Sequence, residues 1–279
     1  MKRLDKIVNM KNTCAAYGDF NGMHRGHLKI ITELVAQAKK RGMKSVVISR
    51  PAKEEILTNE DEKAYFLERA GVDVLISCEN EPDLLEQAIQ TIGAKVLVVG
   101  ENHKNLENVK VTANNAGIEV IICEPEKEDQ QIITTAIVKK ALIDCNFEKV
   151  TSLLGHPYII IGKVVHGKAL GRTVGMPTAN LDTCETKLKP PSGVYATSIY
   201  VDEEHLKAMT NIGKRPSVDN FDYVTIEAFI LDFDRDIYGR ELVLEVQRFV
   251  RGVEKFNSLE EVQQQVQKDI QKVRDFLAA

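Results

Sequence analysis

The chain reads as an α/β protein in two parts: a parallel sheet wrapped in helices, then an antiparallel barrel or sandwich closed by one helix. Three observations carry this. In the first half, short and almost wholly apolar runs alternate with amphipathic segments, the pattern of strands buried on both faces. After residue 157 the apolar runs are separated by turn residues with no helical stretch between them, and several alternate in polarity as half-buried strands do. Residues 258–277 then carry apolar side chains at helical spacing.

The elements follow in order. TCAAYG (13–18) is a first strand, and HLKIITELVAQAKKRG, from His27, is the helix after it. SVVIS (45–49), VDVLIS (72–77), KVLVVG (95–100) and IEVIIC (118–123) are further strands, with NEDEKAYFLERAG (59–71) and PDLLEQAIQTIG (82–93) as intervening helices. ICEPEKEDQQ (122–131) is a polar break, and a single helical segment runs from it to residue 155. The second-half strands are PYIIIGKVV, GVYATSIYV, LKAMTNIG, YVTIEAFILDF and ELVLEVQRFV. The last helix opens on Ser258-x-x-Glu261, a capping box. The expected domains are 1–150 and 151–279.

A length of 279 residues suffices for two domains with separate cores. With 43% apolar and 28% charged residues the chain is globular rather than disordered. No apolar run approaches the roughly 18 residues that span a bilayer, and MKRLDKIVNMKNT lacks a signal-peptide core; no membrane partner is expected. Cys14, Cys78, Cys123, Cys145 and Cys184 are scattered and never form CxxC, which points to free thiols in a reducing cytoplasm and away from zinc. The net charge of −4 divides evenly, with 21 Lys and Arg against 23 Asp and Glu in residues 1–150 and 16 against 18 in the remainder. Neither half is a polyanion binder, so no nucleic-acid partner is expected and phosphate recognition must be local. Nothing in the sequence sets an oligomeric state.

Two stretches carry chemistry. GDFNGMHRGH (18–27) follows the first strand and places His24 and His27 three apart at the opening of a helix. Free backbone N–H groups and the helix dipole favour an anion there, while Gly22 and Gly26 permit close approach. The alternative is a pair of capping or surface histidines. The second stretch, VVHGKALGRTVGMPTANLD (164–182), has Gly167, Gly171 and Gly175 beside a Pro-Thr-Ala-Asn tetrapeptide. Glycine at this density spoils helix and strand alike, so the backbone bends closely around something, or is a plain surface loop.

The His-x-Gly-His pattern after a first strand resembles the nucleotidyltransferase superfamily, in which both histidines hold nucleotide phosphates. Gly18, Phe20, His24, Gly26 and His27 would then form the nucleotide site. The chain from about residue 13 onward is similar to the bacterial riboflavin kinase/FMN adenylyltransferase (FAD synthetase) family. The match is strongest in GHPYIIIGKVVHGKALGRTVGMPTANL (155–181), PPSGVY (190–195), NIGKRPS (211–217), TIEAFILDFDRDIYG (225–239) and RGVEKF (251–256). The resemblance implies a Rossmann-like nucleotidyltransferase domain and a small Greek-key barrel that phosphorylates riboflavin to FMN with ATP. Thr178 and Asn180 would meet Mg²⁺ and phosphates as neutral oxygen ligands. Gly162, His166, Gly167 and Gly171 would wall ATP, and Glu227 would serve as base or orienting carboxylate. Along its strand Glu227 shares a face with Thr225 and Phe229, and Ile226, Ala228 and Ile230 take the other. A carboxylate beside large apolar groups suggests chemistry or a place at a barrel mouth. The family often has histidine at Phe229. Arg251 and Phe256 fall on the flavin side.

The first half departs from the family. Asp19-Phe20-Asn21 exchanges the polar residues of Asn-Phe-Asp, SRPAKEEILTNEDEK (49–63) is contracted, and NHKNLENVK (102–110) replaces a glycine- and arginine-bearing loop. The Ser-Ser-Thr-x-Ile-Arg signature reads Ile133-Thr134-Thr135-Ala136-Ile137-Val138, without its arginine. An arginine that clamps phosphates is worth several powers of ten in rate. The favoured expectation is a kinase with impaired FAD synthesis. Full bifunctionality, a non-catalytic flavin or nucleotide regulator, and a transferase acting on another substrate with the barrel as flavin sensor stay open.

Overall fold

Strands with no polar alternation must be covered on both faces, and the first half is built that way. The computed structural model describes residues 1–50, 55–78, 84–167, 176–202, 204–216 and 222–278. They divide into two units, Met1–Val138 and Lys139–Ala279. In the first, strands β1 (Lys2–Leu4), β2 (Thr13–Gly18), β3 (Lys44–Ser49), β4 (Val74–Ser77), β5 (Ala94–Gly100) and β6 (Glu119–Cys123) form one sheet in the order β1-β4-β3-β2-β5-β6. All pairings in it are parallel. Helices α1 (Arg25–Arg41) and α2 (Glu60–Arg69) press Ile31, Leu34, Ala64 and Leu67 onto one face. Helices α3 (Leu84–Thr91) and α4 (Leu106–Asn115) cover the other with Ile89, Val109 and Ala113. The chain leaves β2 for β3 and β4, then returns past β2 to β5. The β2/β5 boundary is therefore the switch point at which α/β sheets open a crevice above the strands' carboxyl ends.

Several elements were not legible from periodicity. β1 is three residues of KRL, and α4 forms from the stretch that reads as a loop. The polar break folds as a hairpin of β7 (Lys127–Glu128) and β8 (Gln131–Ile132). The helical segment beyond it is two helices, α5 (Thr135–Ile143) and α6 (Phe147–Leu154), broken at Cys145, whose φ of 55° is left-handed. The boundary between the units falls within α5.

In the second unit β9 (Tyr158–Val165), β10 (Ala179–Thr183), β11 (Gly193–Val201), β12 (Glu204–Pro216), β13 (Asp222–Ile230) and β14 (Glu241–Gly252) close into an antiparallel barrel ordered β10-β13-β12-β11-β14-β9. Closure leaves no strand edge, which decides for barrel over sandwich. β10, inside the glycine-dense stretch, was missed as a strand because its five residues follow Pro177 and Thr178. Two family glycines have architectural reasons. A Cβ at Gly162 would stand 2.8 Å from the Asp182 carbonyl oxygen on β10, and one at Gly193 would stand 2.6 Å from that of Arg251 on β14. Helix α7 (Leu259–Phe276) lays Val273 against Ala196 and Leu231 on the outside of the barrel. Its Ser258 side chain accepts from the Glu261 N–H, but the Glu261 carboxylate reaches back to the N–H of Asn257, one residue outside the expected box.

Candidate functional sites

In the barrel, register assembles what the sequence scatters. Asn180 of β10 lies directly opposite Glu227 of β13, and Glu227 lies opposite Asn211 of β12. The row continues through Val194 of β11 to Arg251 of β14. Opposed residues share a face with Cβ atoms about 5 Å apart, so two amides and a carboxylate stand side by side. The alternation expected around Glu227 holds: Ile226, Ala228 and Ile230 are buried, while Phe229 packs with Met209 and Val273 beneath α7. Glu227 is therefore on the outer face of the barrel wall, half-buried. Asn211 was not singled out beforehand. Its signal was its place in NIGKRPS.

Gly167 faces this row. A Cβ added there would collide with the Asn180 side-chain amide, so the glycine leaves room for that amide. Thr178 lines a cavity of about 300 Å³ together with Val164, Ala179, Asp234 and Tyr238. His166 stacks on Tyr238 with ring centroids 3.9 Å apart. Gly162 lies away from the row, opposite Thr183 and Leu242. Gly171 lies outside the described residues. Arg251 donates to Asp269 of α7 at 2.8 Å, an aspartate 1% exposed that also accepts from Gln265. Its guanidinium lies 5.7 Å from the Phe256 ring centroid.

In the first unit His24 and His27 stack, with centroids 3.7 Å apart and planes at 19°. His24 is the N-cap of α1 yet makes no side-chain cap bond, and the Nδ1 atoms of both rings are buried with no partner. Neither is a capping or surface histidine. Phe20 meets His27 edge-on at 5.5 Å. Phe20 and Met23 hold φ of 48° and 45°, left-handed values that cost non-glycine residues energy and gather at functional loops. Gly18 abuts the Phe20 ring and Gly26 the His24 ring, where a Cβ would stand 3.4 and 3.2 Å away. Asn21 accepts from the Leu57 N–H at 2.8 Å, and its carbonyl oxygen accepts from the Thr135 hydroxyl at 2.9 Å. The residue exchanged against the family pattern thus braces the loop.

Lys63 was invisible to sequence reasoning, which places it on an ordinary helix. It is 1% exposed, with Nζ 2.5 Å from both the Ser49 hydroxyl and the Glu60 carboxylate. Burial lowers the Lys63 pKa against the pull of Glu60. Burial brings His24 down to about 4, and burial, aided by the charges of His24 and Lys63, holds His27 well below the usual imidazole range. The direction of both shifts favours the neutral rings near pH 7.

The acid side of the stability profile follows. The unfolded chain takes up protons on these histidines near pH 6.5, and the folded chain does so only at lower pH, so stability present above pH 6.5 is lost as pH falls toward 4. His24 alone is expected to account for about 3 kcal/mol of that loss. Protection factors of the β2 and β5 amides, each referred to the intrinsic exchange rate at its pH, should fall over this window in the natural protein and much less in His24→Asn/His27→Asn. An equal fall in both would show that the rings are not buried as neutral species.

Residues 154–277 match the riboflavin kinase family (Flavokinase), and residues 6–136 match FAD synthetase. The bifunctional riboflavin kinase/FMN adenylyltransferase of Escherichia coli K12 is 31% identical over 93% of this chain and 91% of its own length. That of Listeria monocytogenes is 30% identical over 96% and 93%, respectively. A Streptococcus pneumoniae crystal structure described as a macrolide-efflux protein superposes with a TM-score of 0.81 at 26% identity, covering 98% of each chain. Among the described residues no helix is long and apolar enough to cross a membrane. With a kinase barrel and a nucleotide-type sheet each matched by its own family, the chain is an enzyme that belongs to the bifunctional riboflavin kinase/FMN adenylyltransferase family.

Proposed function

We propose that the barrel transfers the γ-phosphoryl group of ATP to the ribityl 5′-hydroxyl of riboflavin, giving FMN and ADP. The observation that supports this most is the Asn180–Glu227–Asn211 row beside Gly167. It puts one carboxylate among neutral donors and acceptors on a wall whose neighbouring residues Thr178, Ala179 and Ala228 line a cavity of about 300 Å³. Among the described residues no group of three or more His, Cys, Asp or Glu could hold a metal. The Thr178 hydroxyl and Asn180 amide oxygen are neutral oxygen ligands of the kind that would hold a Mg²⁺ arriving with the phosphates. A bound Mg²⁺ would supply positive charge against the phosphates, and Thr178 and Asn180 are the residues that would hold it. Glu227 accepts the hydroxyl proton as the oxygen attacks phosphorus and the bond to the β,γ-bridging oxygen breaks. Arg251, fixed by Asp269, and Phe256 form the flavin side. His166 and the glycines to Gly175, Gly171 included, wall the nucleotide.

In the functional division, 1–150 and 151–279, we read the first domain as a nucleotide site built on His24 and His27 that makes FAD slowly, because no arginine stands at Val138. Full bifunctionality is favoured by the relatives' length match. Purified protein incubated with riboflavin, ATP and Mg²⁺, its flavins then separated, tests both. FMN should accumulate well ahead of FAD. FAD formed from FMN as fast as FMN is formed would make both domains fully active, and no product flavin would leave a regulator.

Asn180→Ala is expected to raise the Mg-ATP concentration for half-maximal rate by about tenfold, equivalent to about 1.4 kcal/mol. Gly167→Ala should act in the same direction by displacing the Asn180 amide. An unchanged Mg-ATP requirement in both would make the tetrapeptide a structural turn.

A further inference from the structure

The carboxyl ends of β2, β3 and β5, three adjacent strands at the switch point, bring together a second set of side chains on the α3/α4 side of the sheet. Tyr17, the last side chain of β2, packs against the core beneath those helices. Arg50 follows β3 directly, its guanidinium carbon 5.3 Å from the Tyr17 ring centroid. His103 follows β5, its ring centroid 6.0 Å from that of Tyr17. Asp19 pairs with Arg50 at 3.2 Å across side chains 53% and 35% exposed. Asp19, Arg50 and His103 fall in the three segments that depart from the family's pattern, and all three meet around one ring. Adjacency of the strands brings the three ends together, and what the departures add there is a paired cation and anion beside an aromatic ring.

We propose that Arg50 is the phosphate-binding cation of the first unit's nucleotide site, with Asp19 as the internal anion that a triphosphate displaces. The planar guanidinium is preset by its stack on Tyr17 and presents the fork that grips phosphate oxygens two at a time. An ion pair this exposed is weak, so a multiply charged phosphate competes well against one carboxylate. On the other side of the β2 end stand the stacked rings of His24 and His27. The site takes a nucleoside triphosphate, and the proposal rests on the reading of this unit as a nucleotide site.

The test uses the full chain carrying Thr178→Ala/Asn180→Ala, which disables the barrel site, titrated calorimetrically with α,β-methylene-ATP and Mg²⁺ in the absence of flavin. Arg50→Gln in this background should weaken binding at least about tenfold, and Arg50→Lys should weaken it less. Asp19→Asn should tighten binding by a few-fold, because the rival anion is gone. Opposite signs from the two partners of one ion pair are something loss of structure does not produce. If His27→Ala abolishes binding while Arg50→Gln leaves it intact, the nucleotide reading stands and Arg50 has no part in it. Unchanged or weaker binding in Asp19→Asn also overturns the proposal. Absence of any binding in the background chain overturns the nucleotide reading along with it.

Discussion

Glu227→Gln is expected to lower riboflavin phosphorylation by about 10² or more while leaving riboflavin and Mg-ATP binding nearly unchanged. The amide keeps the volume and a hydrogen-bond acceptor, so the row with Asn180 and Asn211 persists. What disappears is the capacity to hold the proton released as the hydroxyl oxygen bonds to phosphorus. The loss should therefore fall on kcat and spare KM. A drop shared equally between binding and turnover would make Glu227 a packing residue of the wall. Turnover near that of the natural protein would remove it from the chemistry.

The second large effect concerns stability. Restoring arginine by Val138→Arg looks from the sequence like repair of the lost phosphate clamp. Val138 has no exposed surface, and its N–H bonds the Thr134 carbonyl within the first turn of α5. An arginine there would bury an uncompensated charge, at a cost of about 3–5 kcal/mol. The same turn holds Thr135, whose hydroxyl donates to the Asn21 carbonyl of the histidine loop, so strain at 138 loosens the loop as well. Val138→Arg should lower the melting temperature and speed amide exchange in α5 without raising FAD formation. A stable variant with faster FAD formation would place the new guanidinium in the phosphate site and refute this account.

Much of the molecule was legible without coordinates, because the relevant physics is local. Apolar runs lacking alternation gave the parallel strands, and the parity of Thr225, Glu227 and Phe229 against Ile226, Ala228 and Ile230 gave the two faces of β13. The histidines at the start of α1 were visible by type and spacing, and Thr178 and Asn180 through the resemblance to the family. Elements with little local signal escaped. β1 has three residues, α4 is short, and β10 hides behind glycine and proline, so each depends on neighbours more than on its own pattern.

The sequence by itself determined the order of elements, the side of each strand on which a residue projects, and the residue types available for phosphate chemistry. Tertiary structure decided which of them meet. Periodicity sets a face but not the register between strands, and Asn180, Asn211 and Glu227 become neighbours only when the barrel closes. Long-range contact likewise gave Gly162 and Gly193 to strand packing, tied Arg251 to Asp269, buried Lys63 beside Ser49, and gathered Arg50 and His103 around Tyr17. These positions are fixed by burial and charge pairing between segments far apart in the chain, which no local window of sequence contains.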